Sequence, residues 1–541
     1  MTALVTKYLP LVAGAPDGIE KLRGLILDLA IQGKLVAQDA NEETSSKLLA
    51  QIDSVKGNFL RKSELARFNS LAGDTTDICK YTLPKTWSWR RLGALGLVGS
   101  SSRVYQKDWE TSGVPFYRTR EIVQLARNGA VDPELFISED LYLELTSSGP
   151  VPVEGDIMIT GVGTIGVPYI VREGERFYFK DASVLIFKNY FRLNSEYLAL
   201  VFSSPYWDQL IHQESMGTTV HTLTIGRASA IPIPLPPLAE QHRIVAKVDE
   251  LIALCDRLEA DQADAEAAHA QLVQALLGSL TQATDAADFR ASWQRLSEHF
   301  HTLFTTEASI DALKQTVLQL AVMGKLVPHE LTDSKDTWPL PPGWREQLIS
   351  DFCSVQGGIQ KTPLRRPVSL HFPYLRVANV QRGYIDVTEL ERYELSHEEL
   401  AKWRLKKGDL LIVEGNGSEN EIGRCAIWQG QVENCVYQNH LMRVRPNVDE
   451  QVHYLALYLN SPVGTGHMKR LAITTSGLFN LSVGKIRSIP VPLPPLAEQH
   501  RIVAKVDELM ALCDELKVQL AEARQQHAQL TTALVEQAVA A

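Results

Sequence analysis

One passage occurs twice in this chain. Ile231 to Ala260 reads IPIPLPPLAEQHRIVAKVDELIALCDRLEA and Ile489 to Val518 reads IPVPLPPLAEQHRIVAKVDELMALCDELKV, 258 residues apart; Pro234 to Leu251 and Pro492 to Leu509 are identical letter for letter. A period this long exceeds any solenoid repeat and corresponds to a whole domain with its connector. The chain therefore has to fold as two similar modules.

The rest of the chain keeps to that frame. A length of 541 residues suggests roughly three to four domain-sized pieces. A second repeat, Gly18 to Val36 against Ser309 to Val327, has apolar residues every three or four positions and a glycine, Gly33 or Gly324, where a helix C-cap falls. Its offset is 291, so the first copy carries 33 extra residues, placed within about Val36 to Leu83, with an added helix expected over Asn58 to Ala72. Each copy then passes a Pro/Trp signal, around Trp87 and Trp344, into about 150 residues of short β-rich runs: VPFYRTREI, GDIMIT and VPYIV, answered by FPYLRVANV, GDLLIVEG and CAIW. YLAL recurs at Tyr197 and Tyr454, which points to one α+β fold used twice.

After the proline-rich stretch comes a long helix. Ile244, Leu251, Leu258, Ala265 and Leu272 are spaced by seven, with Val248, Cys255, Gln262, His269 and Leu276 as the second seam; the other copy gives Ile502, Leu509, Leu516, Ala523, Leu530 and Val506, Cys513, Leu520, His527, Leu534. Such a repeat predicts a coiled coil. Pro237 and Pro495 fit the first helical turn. His269 and His527 are packed or register-setting residues on this reading.

Net charge is −10, unevenly spread: residues 81–230 hold 14 basic and 16 acidic side chains, residues 337–488 hold 18 and 15, and the remainder carries −11. The acidity lies in the helical parts, and the charge alone argues against a free-standing nucleic-acid binder. The six cysteines show no C-x-x-C spacing, and Cys255 and Cys513 sit at apolar helix positions, so buried thiols, no metal centre and a reducing cytoplasm are expected. An export signal and a long apolar span are not evident.

Gly161-Val-Gly163-Thr-Ile-Gly166 matches a dinucleotide fingerprint in letters only, because VPYIV follows it where a helix would have to open; a strand-connecting turn is expected. The polar clusters of the divergent parts carry more information. Arg118, Thr119, Arg120, Lys180, Asp181, Thr218, Thr219 and His221 in the first, and Arg376, Asn379, Gln438, Asn439, His440, Thr474, Thr475 and Ser476 in the second, are types that read base edges or reach phosphates. The chain contains no N-P-P-[FYW] tetrapeptide, no G-x-x-x-x-G-K-[ST] loop and no convincing catalytic spacing.

With both repeats in view, the chain resembles the specificity subunits of type I restriction-modification systems, over essentially its full length. The motifs that carry the likeness are L-x-x-L-x-L-A-x-x-GKLV, L-P-x-x-W and P-L-P-P-L-A-E-Q-x-R-I-V, each present twice. The resemblance implies two target recognition domains (residues 81–230 and 337–488) separated by an antiparallel coiled coil of two long helices, with pseudo-two-fold symmetry. Residues 1–80, 231–336 and 489–541 are then the helical regions. It further implies a non-catalytic chain that directs two methyltransferase subunits and restriction subunits to a bipartite, asymmetric double-stranded DNA target. S-adenosylmethionine, ATP and Mg would be bound by those partners. Glu240, Arg243 and Lys247, with Glu498, Arg501 and Lys505, are expected to be exposed on the partner surface. The alternative is a symmetric coiled-coil scaffold that touches no DNA; it leaves unexplained why two domains keep one frame and different polar faces.

Overall fold

The computed structural model describes residues 11–39, 41–73, 81–147, 149–213, 222–327, 340–415, 421–472 and 480–540. The chain divides into two compact units, Met1–Ala263 with Arg524–Ala541, and Asp264–Ala523. Each unit takes opposite ends of the two long helices, Leu238–Gln282 and Leu496–Ala540.

In unit 1 the N-terminal helix Gly18–Ile31 buries Leu22, Ile26 and Ala30 in one core with Ile244, Val248 and Cys255 of the first long helix, and Val535 of the second packs against it. In unit 2 the repeat-equivalent helix Glu307–Val322 buries Ile310, Leu313, Val317 and Leu320 with Ile502, Val506 and Cys513, and with Val273, Leu277 and Leu280. Both N-terminal helices stop as the sequence predicts. Gly33 and Gly324 adopt φ of 69° and 70°, and the next amide reaches back to close the turn, Lys34 N–H to Leu29 O and Lys325 N–H to Leu320 O, each 2.9 Å.

The globular module of unit 1 is built from β1 (Ser88–Arg91), β2 (Leu97–Ser100), β3 (Val114–Tyr117), β4 (Phe136–Ile137), β5 (Ile157–Thr160), β6 (Pro168–Ile170), β7 (Tyr178–Phe179), β8 (Val184–Lys188) and β9 (Pro232–Leu235). β1 and β9 pair antiparallel, Ser88 opposite Leu235 and Arg91 opposite Pro232, so the module's chain enters and leaves side by side. Four strands form an antiparallel sheet in the order β2-β8-β5-β6, and three form a second in the order β4-β3-β7, in which β3 and β7 run parallel.

Unit 2 repeats this strand for strand with β10 (Arg345–Leu348), β11 (Cys353–Gly357), β12 (His371–Leu375), β13 (Glu391–Glu394), β14 (Leu410–Val413), β15 (Cys425–Ile427), β16 (Val436–Tyr437), β17 (Leu441–Pro446) and β18 (Pro490–Leu493). The orders are β10-β18, β11-β17-β14-β15 and β13-β12-β16, with β12 and β16 parallel.

The invariant passage has a local structural reason. Prolines in β9 and β18 remove ladder donors, which a short edge pair tolerates, and their free carbonyls are occupied from outside. Tyr197 Oη donates to Pro234 O and Tyr454 Oη to Pro492 O, both at 2.7 Å. Just past the strands, Gln241 Nε2 donates to Pro236 O (2.9 Å) and Gln499 Nε2 to Pro494 O (2.8 Å). Pro237 precedes its helix, and its carbonyl accepts the Gln241 N–H at 3.0 Å.

Two expectations change and one is extended. The long helices do not bury a strict heptad seam. Ile244, Val248 and Cys255 are buried, but the next buried positions are Val273, Leu277 and Leu280, while Leu272 is 52% exposed. Cys255 packs in the core of unit 1 and Val273 in that of unit 2, 18 residues on, which is not a heptad spacing. The second copy drifts identically: Cys513 and Thr531 are buried, and Leu530 is 50% exposed. The extra segment holds the expected helix, at Lys62–Leu71, and a second before it, Ser45–Val55. It is tied to its module by Phe59 stacked on Tyr190 (ring centroids 5.9 Å), by Phe68 edge-on to Phe191, and by Arg67 Nη2 donating to Ser229 Oγ at 2.8 Å. Finally, VPFYRTREI is not one strand: β3 ends at Tyr117 and a helix, Thr119–Asn128, begins.

Three smaller expectations hold: a turn, two buried thiols and two packed histidines. The glycine-rich passage is a turn between β5 and β6, with Gly163 and Gly166 at φ of 77° and 83°. Cys255 and Cys513 are buried free thiols. His269 Nε2 meets Thr302 O at 3.2 Å and His527 Nε2 meets Leu11 O at 2.7 Å, repeat-equivalent pairs that position both rings by a backbone carbonyl. Among the described residues no group of three or more His, Cys, Asp or Glu could hold a metal ion, and no helix is long and apolar enough to cross a membrane.

Candidate nucleic-acid interface

Parallel pairing assembles the candidate residues. β3 ends at Tyr117 and β7 at Phe179, which are partners in register, so Arg118 and Lys180 leave the sheet at the same edge. Lys180 N–H donates to Tyr117 O (2.9 Å), and Thr119 Oγ1 donates to Ser183 O (3.2 Å). In unit 2, Leu375 pairs with Tyr437, so Arg376 and Gln438 leave together, with Gln438 N–H donating to Leu375 O at 2.9 Å. Asn439 N–H donates to Ile359 O and Glu414 N–H to His440 O, both at 2.9 Å. Arg376, Asn379, Gln438, Asn439 and His440 therefore share one edge in unit 2, as Arg118, Thr119, Lys180 and Asp181 do in unit 1.

Their electrostatic states differ. Arg118 opens the helix after β3: its N–H donates to Glu121 Oε2 (2.9 Å) and its Nη2 to Glu121 Oε1 (2.7 Å). Burial opposes the charge of Glu121, but Arg118 holds this carboxyl below the usual carboxylate range. Arg120, 55% exposed, pairs with Glu134. Both arginines are thus partly neutralised by their own module. Arg376 makes a longer contact with Glu391, 3.3 Å. Asn379 is 4% exposed and fully engaged, Oδ1 accepting from Arg376 N–H and Nδ2 donating to Asp386 O and Glu389 O, which gives it a positioning role for Arg376. Gln438 Oε1 accepts from Val377 N–H at 3.3 Å, leaving its amide group to donate elsewhere. His440 Nδ1 lies 2.9 Å from Glu414 Oε2, with the imidazole side chain 55% exposed. Thr218, Thr219, His221, Thr474, Thr475 and Ser476 lie outside the described residues.

The shared helical surface is corrected in part. Glu240 and Glu498 are 1% and 4% exposed and do not face outward. Each accepts the indole N–H of the tryptophan that opens its module, Trp87 to Glu240 Oε2 at 2.9 Å and Trp344 to Glu498 Oε1 at 3.0 Å. Burial pushes the Glu240 carboxyl above its ordinary range, opposed by the Trp87 and Gln38 donors. Arg243 is engaged by Glu42 of the extra segment, Nη2 to Oε2 at 3.0 Å, and Arg501 is half-buried. Lys247 and Lys505 are half-buried and pair with Glu250 and Glu508, at 2.8 and 2.9 Å. The exposed residues of the duplicated helix start include instead Leu238, His242, Ala246 and Asp249, with Leu496, His500, Ala504 and Asp507.

Two similar modules with loop clusters of different polarity at one strand edge, each joined to a long helix that opens on identical text, define a duplicated α+β protein. The type I restriction modification DNA specificity domain matches residues 84–267 and 341–523, and the chain belongs to that family, whose role is DNA target recognition. The Escherichia coli type I restriction enzyme EcoEI specificity subunit is 29% identical, over 96% of this chain and 94% of that protein, and the EcoAI specificity subunit, also from Escherichia coli, is 28% identical over the same shares. A chain of a solved type I R-M system is 20% identical, covering 85% of this chain and 99% of that one, with a TM-score of 0.48.

Proposed function

We propose that the chain selects a split, asymmetric target in double-stranded DNA, each module reading one half. The observation that carries this is the mismatch of side chains at matched backbone positions. Around the same parallel strand pair, Arg118 matches Arg376, but Thr119, Lys180, Asp181 and Ala182 in unit 1 stand where Val377, Gln438, Asn439 and His440 stand in unit 2. A symmetric scaffold has no use for that divergence.

The chain itself performs no chemistry on this reading. Two methyltransferase subunits dock on the two copies of the helix start, through the exposed His242–Asp249 and His500–Asp507 faces and the adjoining lysines, and restriction subunits join that complex. The methyltransferase partners bind S-adenosylmethionine, the restriction partners bind ATP and Mg, and the assembly works in the cytoplasm. Identical docking text fits identical partners.

Exchanging residues 81–230 for the corresponding domain of a relative, followed by methylation mapping, tests the central claim. One half of the methylated sequence changes and the other stays. Change in both halves, or in neither, would show that one module does not own one half-site.

A further inference from the structure

At the reading edge of unit 1, the cations expected to serve DNA are compromised: Arg118 and Arg120 are both paired with carboxylates of their own module. The loop that leaves β2 supplies charge that is not. Arg103, Tyr105 and Lys107 are all exposed, Tyr105 at 56%, and Arg103 and Lys107 flank its ring at 5.5 and 6.0 Å from the centroid. Among the described residues neither cation has an ion-pair partner. The nearest carboxylate within the loop, Asp108, accepts the Tyr105 backbone N–H at 3.2 Å and so shapes the turn.

The loop is anchored, not loose. Val104 is buried in the small core under β3, β4 and β7, and Trp109 packs on Phe116 with centroids 6.4 Å apart. Two further bonds fix its start against the end of β7: Ser101 Oγ donates to Phe179 O (2.6 Å) and Ser102 N–H donates to Tyr178 Oη (2.9 Å). Lys180 is the residue after Phe179, so the loop adjoins the candidate interface. In unit 2 the loop leaving β11 is basic as well, but Lys361 and Arg365 pair with Glu391 and Glu399, beside an exposed Arg366.

We propose that Arg103, Tyr105 and Lys107 grip the phosphate backbone of the duplex beside the half-site read by unit 1, positioning the DNA without reading it. This rests on the DNA-reading role proposed above. Base readout needs donors fixed in bidentate geometry; two cations held only by an exposed ring act as charges on phosphate, with the Tyr105 hydroxyl as a neutral donor between them.

The test uses the chain assembled with its methyltransferase partners, binding a duplex that contains its mapped methylation target and an unrelated duplex, over a range of salt. In Arg103→Ala/Lys107→Ala, the slope of log affinity against log salt falls in magnitude by about 1.8, about 0.9 for each phosphate that is no longer neutralised. Both duplexes weaken by the same factor, and the methylated sequence is unchanged. An unaltered slope, or a methylated sequence altered in its first half, overturns the proposal. If the unsubstituted complex shows no preference for its own target, the DNA-reading role falls, and this inference with it.

Discussion

Lys34 Nζ donates to the carbonyl of Val539 at 2.5 Å, 505 positions along the chain, and its repeat equivalent Lys325 donates to Thr281 O and Ala283 O at 2.9 and 2.8 Å. Each GKLV lysine therefore caps the C-terminus of a long helix, where unpaired carbonyls and the helix dipole favour a cation. Lys34→Met and Lys325→Met should each cost about 1 kcal/mol, read as a lower denaturant midpoint at unchanged slope. No loss in either variant contradicts the capping role.

The drift of the buried stripe predicts opposite outcomes at adjacent residues. Val273→Asp places a charge in the core and should cost several kcal/mol, as should Ile244→Asp and Ile502→Asp. Leu272→Asp and Leu530→Asp, at exposed heptad positions, should stay within about 0.5 kcal/mol of the parent. Thermal unfolding of the five variants decides whether burial follows the heptad positions.

Trp87 and Trp344 donate into buried carboxylates, and phenylalanine would keep most of the ring but remove the donor. Trp87→Phe and Trp344→Phe should each lose about 1–3 kcal/mol, the penalty for stranding a buried acceptor. Calorimetry that found either variant as stable as the parent would remove the Trp–Glu contact from the account of the shared motif.

Asp28 gives a pH-dependent test. Burial raises its carboxyl from 3.8 to about 6, partly opposed by a backbone N–H from Tyr206. Below the unfolded value the group is neutral in both states and costs nothing. As pH rises from about 4 to about 6 the unfolded chain ionises first, so the folded state loses stability. Asp28→Asn should therefore be more stable than the parent by up to about 3 kcal/mol above pH 6, and equal to it below pH 4. The second repeat already carries a neutral amide, Gln319, at the matching position. Equal stability at pH 7 would refute the assignment.

Much of this protein was determined by local text. Duplication fixed two modules, because identical passages fold alike; Gly33 and Gly324 fixed two helix ends, because only glycine takes positive φ there without cost; and the motifs carried the family. Three things required the tertiary structure. Heptad counting placed Leu272 inside, since it assumes one partner along the whole helix, whereas the start of the helix packs in the core of unit 1 and its end in the core of unit 2. The polarity of Glu240 and Glu498 suggested exposure, because the indole donors that make their burial tolerable lie more than 150 residues away. The reading edge itself exists because β3 runs parallel to β7 and β12 to β16. Residues 62 apart in sequence meet there through long-range pairing, which no local pattern encodes, and the Arg103–Lys107 loop joins them through bonds that form only once the sheet has formed.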